Sequence, residues 1–286
     1  ARYIMNPSYN NLQQWLQKPA LFESPVVDYI WNDPWIASKM LEQQTDGANN
    51  LVSRNTSFTE KSASWMIKYL ELQPGSEVCD LGCGAGHYTK AFAQKKYQVT
   101  GVDISTCAIG YASEQESAKQ YGIRYHCCDY LKGIPGGPFN LITLLYYDYC
   151  AFSPEQRKQL LQNIRDKLAY KGTLIMDVLS DARFRSLTES SSLKFSETDG
   201  LWSPLPHFNL KMLFTYPQEM VFLDKNVIVT DAGNKEYLSW YCCFSPETIA
   251  GELQNAGLRV RSVFSDIAGT PYSPDSHEIA VVAEHL

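Results

Sequence analysis

Residues 78–92, VCDLGCGAGHYTKAF, set an acid, Asp80, two positions before the first of three alternating glycines, Gly82, Gly84 and Gly86. Glycine accepts positive φ and lets a backbone pass close beneath a ligand. At a strand-to-helix turn it also opens a helix N-terminus, rich in N–H donors, toward that ligand. The carboxylate decides what the ligand carries: it repels a pyrophosphate and suits an ammonium group. The dinucleotide pattern G-x-G-x-x-G would need its third glycine at position 87, which is His87 here. Further on, VTGVDIS holds Asp103, YHCCDYL holds Asp129, and LLYYDYCAF gathers Tyr146, Tyr147, Asp148 and Tyr149. A carboxylate can accept two hydrogen bonds from a cis-diol, and tyrosine faces suit a cation.

Such residues act together only if rigid elements carry them to one edge. SEVCDL, YQVTGVDI, IRYHCC, FNLITLL and KGTLIMDVL read as short apolar strands. Between them GHYTKAFAQK, TCAIGYASEQESAKQY and PEQRKQLLQNIRDKLA read as helices, the last opened by Ser153, Pro154 and Glu155. This alternation predicts an α/β fold with a parallel sheet covered on both faces. Residues 1–72, with FTEKSASWMIKYLEL at their end, read as a helical N-terminal cap. Residues 73–180 and 245–286 form the α/β domain in this reading. Residues 181–244 break the rhythm with aromatic and proline-containing segments and a hairpin at VIVTDAGNKEYLSWYCCF, and read as an inserted antiparallel β segment. SPETIAGELQNAG, LRVRSVFSDI and EIAVVAEH then resume the α/β pattern.

From about Ser76 to Leu179, and again in the closing helix and strands, the chain resembles class I S-adenosylmethionine-dependent methyltransferases. VCDLGCGAGHYT looks like their first motif. The resemblance implies a Rossmann-like three-layer sandwich whose seven-stranded, mostly parallel sheet ends in an antiparallel strand. It implies S-adenosylmethionine as cofactor, with Gly82, Cys83, Gly84 and Gly86 beside its methionyl part and Asp80 near its amino group. Asp103, with Ile104 beside it, would take the ribose hydroxyls. Asp129, with Cys128 and Tyr130, would border the adenine, and Leu145 would also contact the cofactor. Arg54 would pair with the cofactor's carboxylate. Tyr146 and Asp148 would meet the acceptor, Asp148 orienting or deprotonating it.

Other features narrow the function. The net charge is −6 and no basic run of five residues occurs, which disfavours a nucleic-acid partner. After the fourth strand YYDY lacks the prolines of amino-methylating [ND]-P-P-[YFW] enzymes, and Asp148 alone does not make a magnesium site. The eight cysteines form no CxxC pair and read as scattered thiols, so no metal is expected. No stretch approaches the length of a membrane span, and a cytoplasmic setting follows in this reading. The insert adds Trp202, His207, Phe208, Tyr216 and Trp240 as a lid, with His207 a candidate base. The expected reaction is methylation at O, N or C of a small, planar or apolar acceptor, by in-line displacement. A homodimer is left open. The competing readings are an RNA methyltransferase, a non-catalytic cofactor-binding protein of the same fold, and a dinucleotide oxidoreductase.

Overall fold

A computed structural model of the chain describes residues 7–23, 30–31, 33–46 and 55–286. Its helices are α1 (Pro7–Trp15), α2 (Pro34–Thr45), α3 (Thr56–Tyr69), α4 (His87–Gln94), α5 (Thr106–Lys119), α6 (Pro154–Lys167), α7 (Asp181–Arg185) and α8 (Pro246–Asn255). The strands β1 (Glu77–Leu81), β2 (Gln98–Asp103), β3 (Arg124–Cys127), β4 (Phe139–Leu144) and β5 (Leu168–Ser180) pair in parallel, in the order β3-β2-β1-β4-β5. The last strand, β11 (Glu278–His285), lies antiparallel against β5 and carries β10 (Leu258–Phe264) on its far side. This is the mostly parallel sheet with a reversed final strand that the sequence predicts. Its order changes direction between β1 and β4, where a crevice opens at the carboxyl ends of the strands.

Side chains alternate across each strand, so the sheet buries apolar residues on both faces. Leu81, Ile142, Leu144 and Met176 meet Leu160, Leu161 and Ile164 of α6 on one face. Val78, Leu141, Ile175 and Val282 meet Met66 of α3 and Phe92 of α4 on the other. Helix starts follow the local signals. Ser153 with Gln156, and Ser245 with Thr248, form reciprocal capping boxes ahead of first-turn prolines. α4 differs: its cap is Gly86, at φ +84°, which supplies no side-chain bond to the first N–H groups.

Residues 190–244 form a meander of β6 (Ser190–Ser196), β7 (His207–Tyr216), β8 (Val221–Thr230) and β9 (Gly233–Phe244), each antiparallel to the next. It grows from the tip of β5, where Leu179 and Ser180 pair with Cys243 and Phe244. Trp15 of α1 packs on one face of this meander, against Leu210, Met212 and Val227. α2 reaches the loop before β7, through a bond from Trp35 Nε1 to the Gly200 carbonyl at 2.9 Å. No helix among the described residues is long and apolar enough to cross a membrane.

Candidate active site

The glycine loop is tied to the second strand. The Gly82 and Cys83 N–H groups both donate to the Val102 carbonyl, at 2.8 and 3.1 Å. Gly84 N–H donates to Asp103 Oδ2 at 2.8 Å, and Ser105 N–H donates to Oδ1 at 2.8 Å. Each carboxylate oxygen can accept more than one bond, so Asp103 keeps capacity for a diol. Asp80 is buried beneath the loop and accepts a 2.7 Å bond from Thr143 Oγ1 on the neighbouring strand. Glycine suits position 86 on two counts: φ is +84°, and a Cβ there would stand 2.4 Å from the Tyr125 hydroxyl and force it to move. The Tyr125 hydroxyl is itself paired with Thr89 at 2.7 Å.

The segment after β4 closes on this loop from the other side. Tyr146 and Tyr147 have φ of +65° and +68°, conformations that side chains other than glycine rarely adopt. Asp177, fully buried near the end of β5, holds them there. Its Oδ1 accepts the Tyr146 N–H at 2.7 Å and the Tyr147 N–H at 3.4 Å, while the Tyr147 hydroxyl donates to Glu278. The chain then turns so that Asp148 presses on the glycine loop. A Cβ on Gly82 would lie 2.0 Å from Asp148 Oδ2, so a side chain at position 82, already strained at φ +69°, would have to displace Asp148. Tyr130 donates its hydroxyl to the same oxygen at 3.3 Å, linking the third strand tip to the fourth.

A second layer fixes that turn. Tyr149 donates to Glu252 at 2.5 Å, and buried Arg157 grips the same carboxylate with two bonds of 2.9 and 2.7 Å. Arg157 also reaches the Phe152 carbonyl at 2.7 Å. Such bidentate, charge-assisted pairing adds orientation as well as energy.

Burial dominates the electrostatics. It raises Asp148 well above the ordinary carboxylate range, an effect the charge of Asp103 reinforces. It lifts Asp80 to about 7, against the opposing Thr143 bond, and raises Asp103 too, against its backbone N–H bonds. Three carboxyl groups that resist ionisation at one corner form a setting in which a cationic guest is favoured.

A cavity of about 70 Å³ opens here, lined by Gln44, Thr59, Asp80, the loop residues 82–85, His87, Tyr88, Leu145 and Tyr146. Gln44, from the end of α2, accepts the Ala85 N–H at 3.2 Å, and His87 Nε2 bonds the Gln44 carbonyl at 2.8 Å. Asp80, Gly82, Cys83, Gly84, Leu145 and Tyr146 thus line one cavity, while Asp103, Asp148 and Gly86 adjoin its loop: Asp103 bonds Gly84, Asp148 packs on Gly82, and Gly86 caps α4. Ile104 and Cys128 flank Asp103: the Ile104 carbonyl accepts from the Cys127 thiol, and Cys128 N–H donates to the Asp103 carbonyl at 3.0 Å. Asp129 caps its own turn at the Leu131 N–H, 2.9 Å away, and pairs with Lys132. Arg54 lies outside the described residues.

His207 is not among the residues lining the cavity. It is buried at the start of β7, with Nδ1 2.8 Å from the Leu205 carbonyl and its ring against Gly200. Sequence reasoning passed over Asp177, Gln44 and Thr143. A lone acid inside the apolar run LIMDVL was the available signal for Asp177; Gln44 and Thr143 carried none.

Residues 78–172 match the family described as a methyltransferase domain. These residues carry a methyltransferase domain. The glycine cradle, the uncapped helix and the diol-competent Asp103 fit S-adenosylmethionine, the cofactor that the sequence resemblance implies. A relative from Geobacillus sp. (strain WCH70), named as a methyltransferase, is 23% identical over 80% of this chain and 90% of its own. The ubiquinone biosynthesis O-methyltransferase of Coxiella burnetii is 39% identical over 66 residues, 22% of this chain and 28% of that protein. The CcbJ methyltransferase from Streptomyces caelestis shares the fold of this methyltransferase domain, with a TM-score of 0.66 at 14% identity over 86% of this chain and 95% of that one.

Proposed function

We propose that this methyltransferase acts on a small-molecule acceptor held between its strand tips and the meander. The observation that supports this most is the corner where Asp148 meets Gly82 beneath the strained Tyr146–Tyr147 pair. When bound, S-adenosylmethionine supplies an electrophilic methyl group on a sulfonium. Gly82, Gly84 and Gly86 would seat its methionyl part, Asp80 would face the ammonium, and Asp103 would take the ribose hydroxyls. Tyr146, at the cavity wall, would offer an electron-rich face to the positive charge, favouring the cation without offering a competing nucleophile. Asp148, held largely protonated by burial, becomes an acceptor for a proton when a cation beside it favours its ionised form. The helical cap and the meander would exclude water, and alignment rather than covalent chemistry would lower the barrier.

The test is a labelled-methyl assay on fractionated cell extract, with S-adenosylhomocysteine binding measured by calorimetry on the same protein. Label is expected in a small-molecule fraction. Label confined to RNA would overturn the acceptor class. Tight product binding with no turnover on any fraction would favour a non-catalytic role.

A further inference from the structure

The meander face on the Asp177 side of the sheet is more polar than an apolar acceptor would need. Leu179 pairs with Cys243, so alternation brings Tyr241, Ser239 and Tyr237 to the side of the sheet that carries Asp177. Their register partners on β8 are Phe222, Asp224 and Asn226, and Lys211 lies opposite Asn226 on β7. Tyr241 stacks on Phe222, with ring centroids 4.9 Å apart. Asp177, which holds the Tyr146–Tyr147 turn, lies two residues before Leu179 on β5, and Tyr241 lies two residues before its partner Cys243 on β9. The face therefore continues from the methyl-transfer corner.

Its polar side chains form a chain of contacts. Lys211 pairs with Asp224 Oδ2 at 2.7 Å, Asn226 donates to Asp224 Oδ1 at 2.9 Å, and Asn209 donates to Asn226 at 3.1 Å. Asn209 Oδ1 ends the chain, buried and with no hydrogen-bond partner among the described residues. A buried acceptor left unmatched is costly and calls for a donor.

We infer that this face is the distal acceptor subsite, and that it selects a molecule bearing amino and hydroxyl groups, an amine toward Asp224 and a donor toward Asn209. This rests on the methyl-transfer reading above and departs from the planar, apolar acceptor that the aromatic content of the insert favours. Asp224 is a specificity-determining residue here, remote from the transferred methyl group.

The test uses the whole chain, ¹⁵N-labelled and saturated with S-adenosylhomocysteine, titrated separately with D-glucosamine, sorbitol and catechol. D-Glucosamine is expected to shift the side-chain amide resonances of Asn209 and Asn226. Asp224→Asn is expected to weaken it by roughly tenfold, the loss of one charge-assisted bond, while S-adenosylhomocysteine affinity is unchanged. Catechol shifting those amides while D-glucosamine does not would overturn the inference. So would D-glucosamine affinity indifferent to Asp224→Asn, or no amide shift with any of the three. Product binding in the same samples reads the cofactor assignment separately.

Discussion

At the tips of the parallel strands, Gly82, Asp103 and Asp148 meet through backbone groups and carboxylates packed to contact. On the meander, Lys211, Asp224 and Asn226 hold one another by side chains across neighbouring antiparallel strands. The first arrangement depends on φ values that only glycine adopts cheaply, and on the space a missing Cβ leaves. The second depends on which polar groups stand on a regular face, where one residue can be exchanged without moving its neighbours. A cofactor common to a whole family suits the rigid device, and an acceptor particular to one enzyme suits the exchangeable one.

That contrast can be broken most severely at Gly82. Gly82→Ala puts a methyl group on top of Asp148 at a φ of +69°. It is expected to abolish S-adenosylhomocysteine binding by calorimetry while the circular dichroism of the sheet persists. Retained binding would show that the loop is looser than its contacts imply.

Asp103→Ala comes next. It removes the acceptor of the Gly84 N–H and the proposed diol contact, so product affinity should fall by roughly 10- to 100-fold. A loss below about threefold would place the ribose elsewhere.

Asp177→Ala separates the two regions. It strips the acceptor from the Tyr146 and Tyr147 N–H groups and lets the strained turn relax. Turnover should drop by roughly tenfold or more, while the dissociation constant of S-adenosylhomocysteine changes by less than about threefold. A proportionate loss in both would make Asp177 a general stability residue rather than one that positions the turn.

The smallest effect expected is a pH dependence. Folding holds Asp80 neutral up to about 7, above the usual carboxylate value. Its stabilisation is therefore full below the unfolded carboxylate pKa and is lost as pH rises through about 7. An ammonium guest prefers the ionised form, so cofactor affinity should move the opposite way. It should rise by up to about tenfold per unit below pH 7 and then level off. Asp80→Asn should flatten the profile. A flat profile in the unsubstituted protein would remove Asp80 from the ammonium site.

Much of the cofactor half was readable in the chain. Glycine spacing, strand and helix periods and Ser-Pro-Glu helix starts are local properties, set by φ preferences and capping bonds within a few residues. The hairpin of the insert was legible for the same reason. The partners that complete the site were not. Asp177 reaches back 31 residues to Tyr146, and Glu252 reaches 95 residues to Arg157, so these bonds depend on strand order and register. His207 had the right chemistry by type, but its place beside Gly200 was decided by how β7 begins and packs.

By itself, then, the sequence determined that a glycine turn between strand and helix would present backbone donors beside Asp80, with an acid at the next strand tip. Those follow from steric rules acting on neighbouring residues. The tertiary structure alone decided that Asp148 would seat against Gly82, that Asp177 would hold two tyrosines in a left-handed turn, and that Lys211, Asp224 and Asn226 would share one face of the meander. Each of these joins segments far apart in the chain, and only the packing of the sheet brings them within bonding distance.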